Sequence, residues 1–532
     1  MHRPSDTLRQ AQGRTALLRM GFALMFLILA LRAGEVASWP PPPQPHPYEE
    51  PQRPRRGNIV DARGALLATD IAGQSLYADP HLIAEPDTTA QALARIFPNA
   101  GDMTQKLRQD ARFVWLARHI SPAQARAVLE IGEPGLVFRA EPERVYPQGP
   151  LAAHLIGHTD VDGRGLAGVE RAFDGALAAG QDVRLTIDIR LQHALEREIG
   201  AAMETFSAKA GAGAILEIAT GRVLAGASLP DFDPARAGAA SADRRFNRLT
   251  LGVYELGSLF KVFSTAAFLE AYPKEGLAAR FDTREPLRSG RFVIRDYHPE
   301  ERILTTAEVF EHSSNIGAAL MAERVGTERL KAFYAALGLL EPMPAWPLSE
   351  VGRPLVPRPW RDISTLTVSY GHGIAVSPLQ LATAAAAVLG DGRLRAPKIV
   401  EEIGAPVAAR QVLSTATAQT MHTLARLVVT GGTAKEADVL GYAIGGKTGT
   451  AEKPGATGGY DSTRIISSFV GVFPAHAPRY LILIMVDEPK GTKASYGYAT
   501  GGWVAAPAVA RLVQSMAHIL MIPPIGESGN NV

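Results

Sequence analysis

The rhythm of apolar and polar residues changes several times along this chain, and each change predicts a different element. Met20 to Leu31 is uninterrupted apolar sequence preceded by Arg3, Arg9, Arg14 and Arg19. As a helix this run rises only ~18 Å, short of a hydrocarbon core of ~30 Å. A helix over residues 16–37 is long enough, with Arg19 and Arg32 reaching opposite interfaces and Trp39 at the outer one. The arginines hold residues 1–15 in the cytoplasm. The same stretch also fits a cleaved signal peptide, with Val36-Ala37-Ser38 as its cleavage site, and either reading exports the bulk of the chain. Prolines crowd residues 38–56, a composition that favours an extended spacer.

Beyond the spacer, residues 57–68 alternate as two short strands around a glycine-bearing turn. Alanine-rich helical patterns at residues 89–97 and 122–131 mix with short extended runs, giving an α+β domain over 57–181 that holds no nucleophile beside a base. From Val183 the pattern becomes alternating strands and long helices, which predicts a mixed α/β domain over 182–522. Its expected elements are a strand at 184–188, an amphipathic helix at 191–206 and a strand at 212–218. Two β-branched central strands follow at 465–473 and 480–486, with a closing helix at 503–519. Residues 523–532 are expected to be a disordered tail.

Composition narrows the function by exclusion. Lys plus Arg number 55 against 53 Asp plus Glu, so the net charge of +2 gives no case for nucleic acid as a partner. The chain has no cysteine, which removes disulfides, thiolate metal sites and thiol catalysis.

The candidate chemistry lies in three motifs. Ser258-Leu259-Phe260-Lys261, Ser313-Ser314-Asn315 and Lys447-Thr448-Gly449-Thr450 follow one another at intervals of about 55 and about 130 residues, in the order S-x-x-K, S-x-N, K-T-G. A serine hydroxyl needs an adjacent base, and Lys261 lies three residues on, on the same helix face. To accept a proton near neutral pH that amine must be buried or set beside another cation, for which Lys447 is the candidate. Ser313 is placed to hand a proton to a leaving amine, and Asn315 to hydrogen-bond Lys261 and a substrate amide. Ser314 is the candidate cap of the next helix. Lys447, Thr448 and Thr450 are expected to hold a terminal carboxylate at the end of an exposed strand, with Gly449 allowing close backbone approach. The backbone amides of Ser258 and Thr450 are the candidate oxyanion hole. His298 and His372 are read as loop-shaping. Arg295 to His298 and, more weakly, Arg464 are candidates to line the cleft.

With these motifs the chain resembles the class B penicillin-binding proteins, and within them the septal, FtsI-type transpeptidases. The likeness extends to Arg55 to Ile59 with Asp61 and Gly64, to Arg144-Val145-Tyr146-Pro147, and to Gly163 to Glu170. It also takes in Leu185 to Asp188, Gly371-His372-Gly373 with Pro378-Leu379-Gln380, and Asp487-Glu488-Pro489. The resemblance implies a penicillin-binding, serine β-lactamase-like transpeptidase domain on an N-terminal pedestal, with a single membrane anchor at 16–37. The implied activity is D,D-transpeptidation. Ser258 takes the acyl group of a D-Ala-D-Ala stem peptide and passes it to an amine of a neighbouring stem, with no metal or cofactor. β-Lactams would acylate the same serine. Implied partners are a SEDS-type membrane glycan polymerase and other divisome proteins, at the septal inner membrane with the catalytic domain periplasmic. An elongation transpeptidase and a D,D-carboxypeptidase would share this machinery. A β-lactamase fits the long pedestal poorly, and a non-catalytic β-lactam receptor fits poorly with the intact motifs.

Overall fold

The structure, a computed structural model, describes residues 6–38, 55–343, 346–401, 408–455 and 458–525. The expected spacer therefore falls mostly outside the described residues, as does the tail from residue 526. The leading helix α1 (Asp6–Ser38) belongs to a unit separate from the rest of the chain. Its stretch Thr15–Glu35 is long and apolar enough to cross a membrane, and its apolar side chains are all exposed, Phe26 by 66%. A continuous apolar surface of that kind calls for a non-aqueous surrounding.

The remainder opens on β1 (Ile59–Val60) and β2 (Leu66–Ala78), paired antiparallel as expected. Their turn is built by the Asp61 carboxylate, which accepts the amides of Arg63 and Ala65, and by Gly64 at φ +91°. The sheet is completed by β3 (Val114–Ala117) and β4 (Leu136–Val145), both antiparallel to β2, and by β5 (Val183–Arg184), parallel to β1. The strand expected at 184–188 is thus shorter, and it belongs to the pedestal sheet. The Val183 and Leu185 amides bond to the carbonyls of Asn58 and Val60, so the chain stitches this sheet together before it leaves.

The pedestal motifs of the sequence meet in one buried ion cluster. Glu170, fully buried, takes Arg56 at 2.7 Å and Arg144 at 2.7 Å; Arg144 also reaches Asp70 at 3.1 Å, and Arg56 reaches Asp174 at 2.7 Å. Beside the cluster, Gly57 lets the chain run against the Gln181 backbone, because a Cβ there would lie 2.0 Å from the Gln181 carbonyl oxygen.

The larger layer begins with α2 (Ile189–Thr205), β6 (Ala210–Glu217) and β7 (Val223–Leu229). It continues through α3 (Lys261–Ala271), α4 (Asn315–Val325) and α5 (Pro378–Val388) to β8 (Gly445–Pro454), β9 (Tyr460–Phe473), β10 (Tyr480–Asp487) and α6 (Ala505–Ile519). The antiparallel sheet runs β8-β9-β10-β6-β7. Its inner strands β10 and β6 are buried along nearly their whole length, and β9 over its second half, as their apolar sequence requires. Gly211 and Gly213 let α2 sit directly on β6, since a Cβ at either would lie within 3 Å of the Ile199 side chain. β8, which carries Lys447, lies at the edge of the sheet.

Candidate active site

Ser258 does not sit in a regular α-helix. Gly257–Phe260 form one 3-10 turn that runs into α3 at Lys261. In that tighter geometry residues i and i+3 eclipse, so Ser258 and Lys261 stack more directly than α-helical spacing would give. Lys261 Nζ lies 3.1 Å from Ser258 Oγ. Gly257, at φ +55°, is required by both conformation and space, because a Cβ would lie 2.8 Å from the Thr450 carbonyl oxygen. A Cβ on Gly371 would in turn fall 2.2 Å from the Gly257 oxygen. The serine turn is therefore gripped between the Gly371 turn and β8.

Lys261 is the hub. Its Nζ contacts the Ser313 carbonyl at 2.6 Å, Asn315 Oδ1 at 2.7 Å, and the hydroxyls of Ser258 and Ser313 at 3.1 Å each. The two shorter contacts go to groups that only accept, and the two longer ones to hydroxyls that can donate. A neutral amine has two N–H donors and one lone pair, which fits this arrangement with one hydroxyl proton pointing at nitrogen. Burial holds the Lys261 amine well below its ordinary value, helped by the nearby charge of Lys447 and opposed by Asp296. Lys447 is also fully buried, and burial lowers it to about 7. Its Nζ donates to Ser313 Oγ at 2.9 Å and to the Thr448 carbonyl at 3.1 Å. Ser313 Oγ thus bridges the two amines.

Ser313 reaches both lysines because its backbone is left-handed, φ +60°. What holds it there was only hinted at in the sequence. Asp296 accepts the Ser314 hydroxyl at 2.7 Å and the amides of Asn315 and Ile316 at 2.5 and 2.9 Å. Ser314 caps α4 as expected, accepting the Gly317 amide at 2.9 Å. The Asn315 amide group donates to the Arg295 carbonyl at 3.0 Å, so its oxygen faces Lys261. Of the segment Arg295 to His298, Asp296 enters the network while Tyr297 and His298 stay exposed.

The Lys447 motif opens β8 where the pattern placed it at a strand end, since pairing with β9 starts at Gly445. Strand alternation separates its side chains. Lys447 turns inward to Ser313, whereas Thr448 is buried against Thr433, their hydroxyl oxygens 2.6 Å apart. Thr450 is exposed, and its hydroxyl accepts the Gly501 amide at 3.1 Å. Gly449 has no room for a side chain, with the Leu256 carbonyl 2.8 Å from a Cβ position.

His372 belongs to the cleft wall. Its ring stacks on Tyr460 with centroids 4.8 Å apart and lies 5.1 Å from that of Tyr370. Burial lowers its imidazole to about 4, with Lys261 contributing. The Tyr460 hydroxyl donates to Glu255 at 2.8 Å. No spacing rule connects Glu255, His372 and Tyr460, and sequence reasoning did not join them. Arg464 pairs with Glu488 at 3.2 Å.

Two family models match the chain, the penicillin binding protein transpeptidase domain over residues 211–514 and the penicillin-binding protein dimerisation domain over 51–184. A probable peptidoglycan D,D-transpeptidase FtsI of Caulobacter vibrioides is 40% identical, covering 97% of this chain and 90% of that protein. The peptidoglycan D,D-transpeptidase FtsI of Escherichia coli is 29% identical over 88% of this chain and 84% of its own length. Among solved structures, penicillin-binding protein 3 of Mycobacterium tuberculosis, crystallised with aztreonam, superposes at a TM-score of 0.72. That match is 25% identical and covers 89% of this chain and 98% of the other.

Proposed function

This chain belongs to the FtsI-type peptidoglycan D,D-transpeptidases of the penicillin-binding protein family, and on that premise we propose that Ser258 is its nucleophile and Lys261 its general base. The observation that carries the reading is the Lys261 amine, which touches Ser258, Ser313 and Asn315 at once and is linked to Lys447 through Ser313 Oγ.

Ser258 Oγ attacks the penultimate D-Ala carbonyl of a D-Ala-D-Ala stem as its proton passes to Lys261 Nζ. The amides of Ser258 and Thr450 take the oxyanion, the close approach of Gly257 to the Thr450 backbone holding the two segments side by side. As the C–N bond breaks, the leaving D-Ala amine takes the Ser313 hydroxyl proton, which the lysine pair replaces. An amine of a neighbouring stem then attacks the ester, returning a proton to Ser258. The donor lies as an extra strand along the open edge of β8, where Gly449 and Thr450 meet its backbone and Thr450 and Lys447 attract its terminal carboxylate. A β-lactam enters the same way, and its amine leaving group stays tethered, which explains a long-lived acyl-enzyme.

For the wider setting the family and the apolar stretch Thr15–Glu35 support one reading. The protein is anchored in the inner membrane by one helix, its catalytic body lies in the periplasm, and it works at the septum beside a SEDS-type glycan polymerase and other divisome proteins. Fluorescent penicillin tests the catalytic core. The full chain labels covalently, Ser258→Ala abolishes labelling, and Lys261→Ala slows it by ~10²–10⁴-fold. Labelling of Ser258→Ala at the wild-type rate would refute the assignment.

A further inference from the structure

Glu255, three residues before the nucleophile, connects three separate segments of the cleft. It accepts the phenol of Tyr460 at 2.8 Å, from the first residue of β9. The Gly373 backbone, in the Gly371-His372-Gly373 turn, lies near both the Glu255 carboxylate and the Tyr460 oxygen and favours the ionised form of each. Tyr460 stacks on His372, ring centroids 4.8 Å apart. The outer end of the β8–β9 hairpin is thereby fastened to the Ser258 turn on one side and the Gly371 turn on the other. Nothing in the acylation chemistry uses these side chains. Burial raises both the Glu255 carboxyl and the Tyr460 phenol, and the phenol remains a donor.

We infer that the Glu255–Tyr460 clasp roofs the acyl-enzyme and sets how its ester divides between an acceptor amine and water. The inference rests on the functional reading above. The two fates share one intermediate. In transfer, the acceptor nitrogen bonds the carbonyl carbon as the bond to Ser258 Oγ breaks, and the amine's proton returns to Oγ. In hydrolysis, water oxygen takes the place of nitrogen, and a free acid leaves. A fixed aromatic roof hinders adventitious water while a bound amine enters from the substrate side, because excluding water from a site suppresses side reactions of its intermediate. Tyr460 and Glu255 are positioning residues here, since neither touches the reacting atoms.

The test measures the ratio of transfer to hydrolysis products for the full chain in detergent, with a D-alanyl thioester donor and D-alanine as acceptor. Tyr460→Phe keeps the ring on His372 but loses the phenol, so the ratio falls several-fold while penicillin acylation stays within about twofold. Tyr460→Ala and Glu255→Ala lower it ~10-fold, and Glu255→Gln, which still accepts the phenol, restores most of it. A purely structural defect would slow acylation without moving the ratio. If Tyr460→Phe and Glu255→Ala acylate normally and keep the wild-type ratio, the clasp has no such role. A wild-type chain that acylates but transfers to no amine would overturn the functional reading itself, and the clasp with it.

Discussion

A buried lysine makes a pH-dependent contribution that can be worked out from its sign. Lys447 titrates near 7 when folded, against an ordinary value of 10.5. Between those values the unfolded chain holds a proton that the folded chain lacks, so stability from this residue rises with pH across that window. Below about 7 its penalty is complete. Lys447→Met therefore raises the unfolding midpoint at pH 7 by at least ~2 °C and flattens its rise towards pH 9, measured by differential scanning fluorimetry. It also removes the donor to Ser313 Oγ, and penicillin acylation falls steeply. At this scale the sequence was most readable. S-x-x-K, S-x-N and K-T-G are fixed by chemistry that needs those side chains at those spacings, and the structure brings Ser258, Lys261, Ser313, Asn315 and Lys447 into one network. The motif alone does not reveal that strand alternation turns the Thr448 hydroxyl to Thr433. Asp296 lacked a motif of its own. Its three bonds depend on how the chain returns to the start of α4, which no local pattern encodes.

Among the elements, long apolar runs declared themselves. β10, α2 and α6 lie within a few residues of their expected limits, because burial on both faces of a sheet leaves an unbroken apolar run and burial on one face of a helix imposes a period. β5 was misread because its partner β1 lies far back in the chain and two residues carry no period. The start of β8 was equally hidden, since Gly445 and Gly446 look like a loop until β9 is seen to pair with them. Those glycines and Gly449 serve close approach. A Cβ on Gly449 would lie 2.5 Å from Ser468 Oγ and 2.8 Å from the Leu256 carbonyl oxygen. Gly449→Ala must therefore push β8 away from the Ser258 turn. It should lower the acylation rate by ~10-fold or more with little change in far-ultraviolet circular dichroism, because a misplaced strand edge spoils alignment before it unfolds anything.

Over the whole molecule, three scattered pedestal motifs without any chemistry of their own resolve into one ion cluster. Glu170 is shared by Arg56 and Arg144, both nearly buried. Glu170→Ala leaves two guanidinium groups short of a counter-charge and should cost ~3–5 kcal/mol, read as early loss of pedestal protection in hydrogen exchange. The pedestal also touches the catalytic layer directly, where the Gly168 amide bonds to Glu350 at 3.1 Å. The central claim is that Ser258 carries the acyl group and gives it to an amine. Intact-mass and peptide-level mass spectrometry of the full chain, mixed with a D-Ala-D-Ala stem pentapeptide and an amine acceptor, tests it most directly. An acyl adduct on Ser258, release of one D-Ala per adduct, and decay of the adduct into cross-linked product are expected. An adduct on another residue, or turnover that persists in Ser258→Ala, would contradict it.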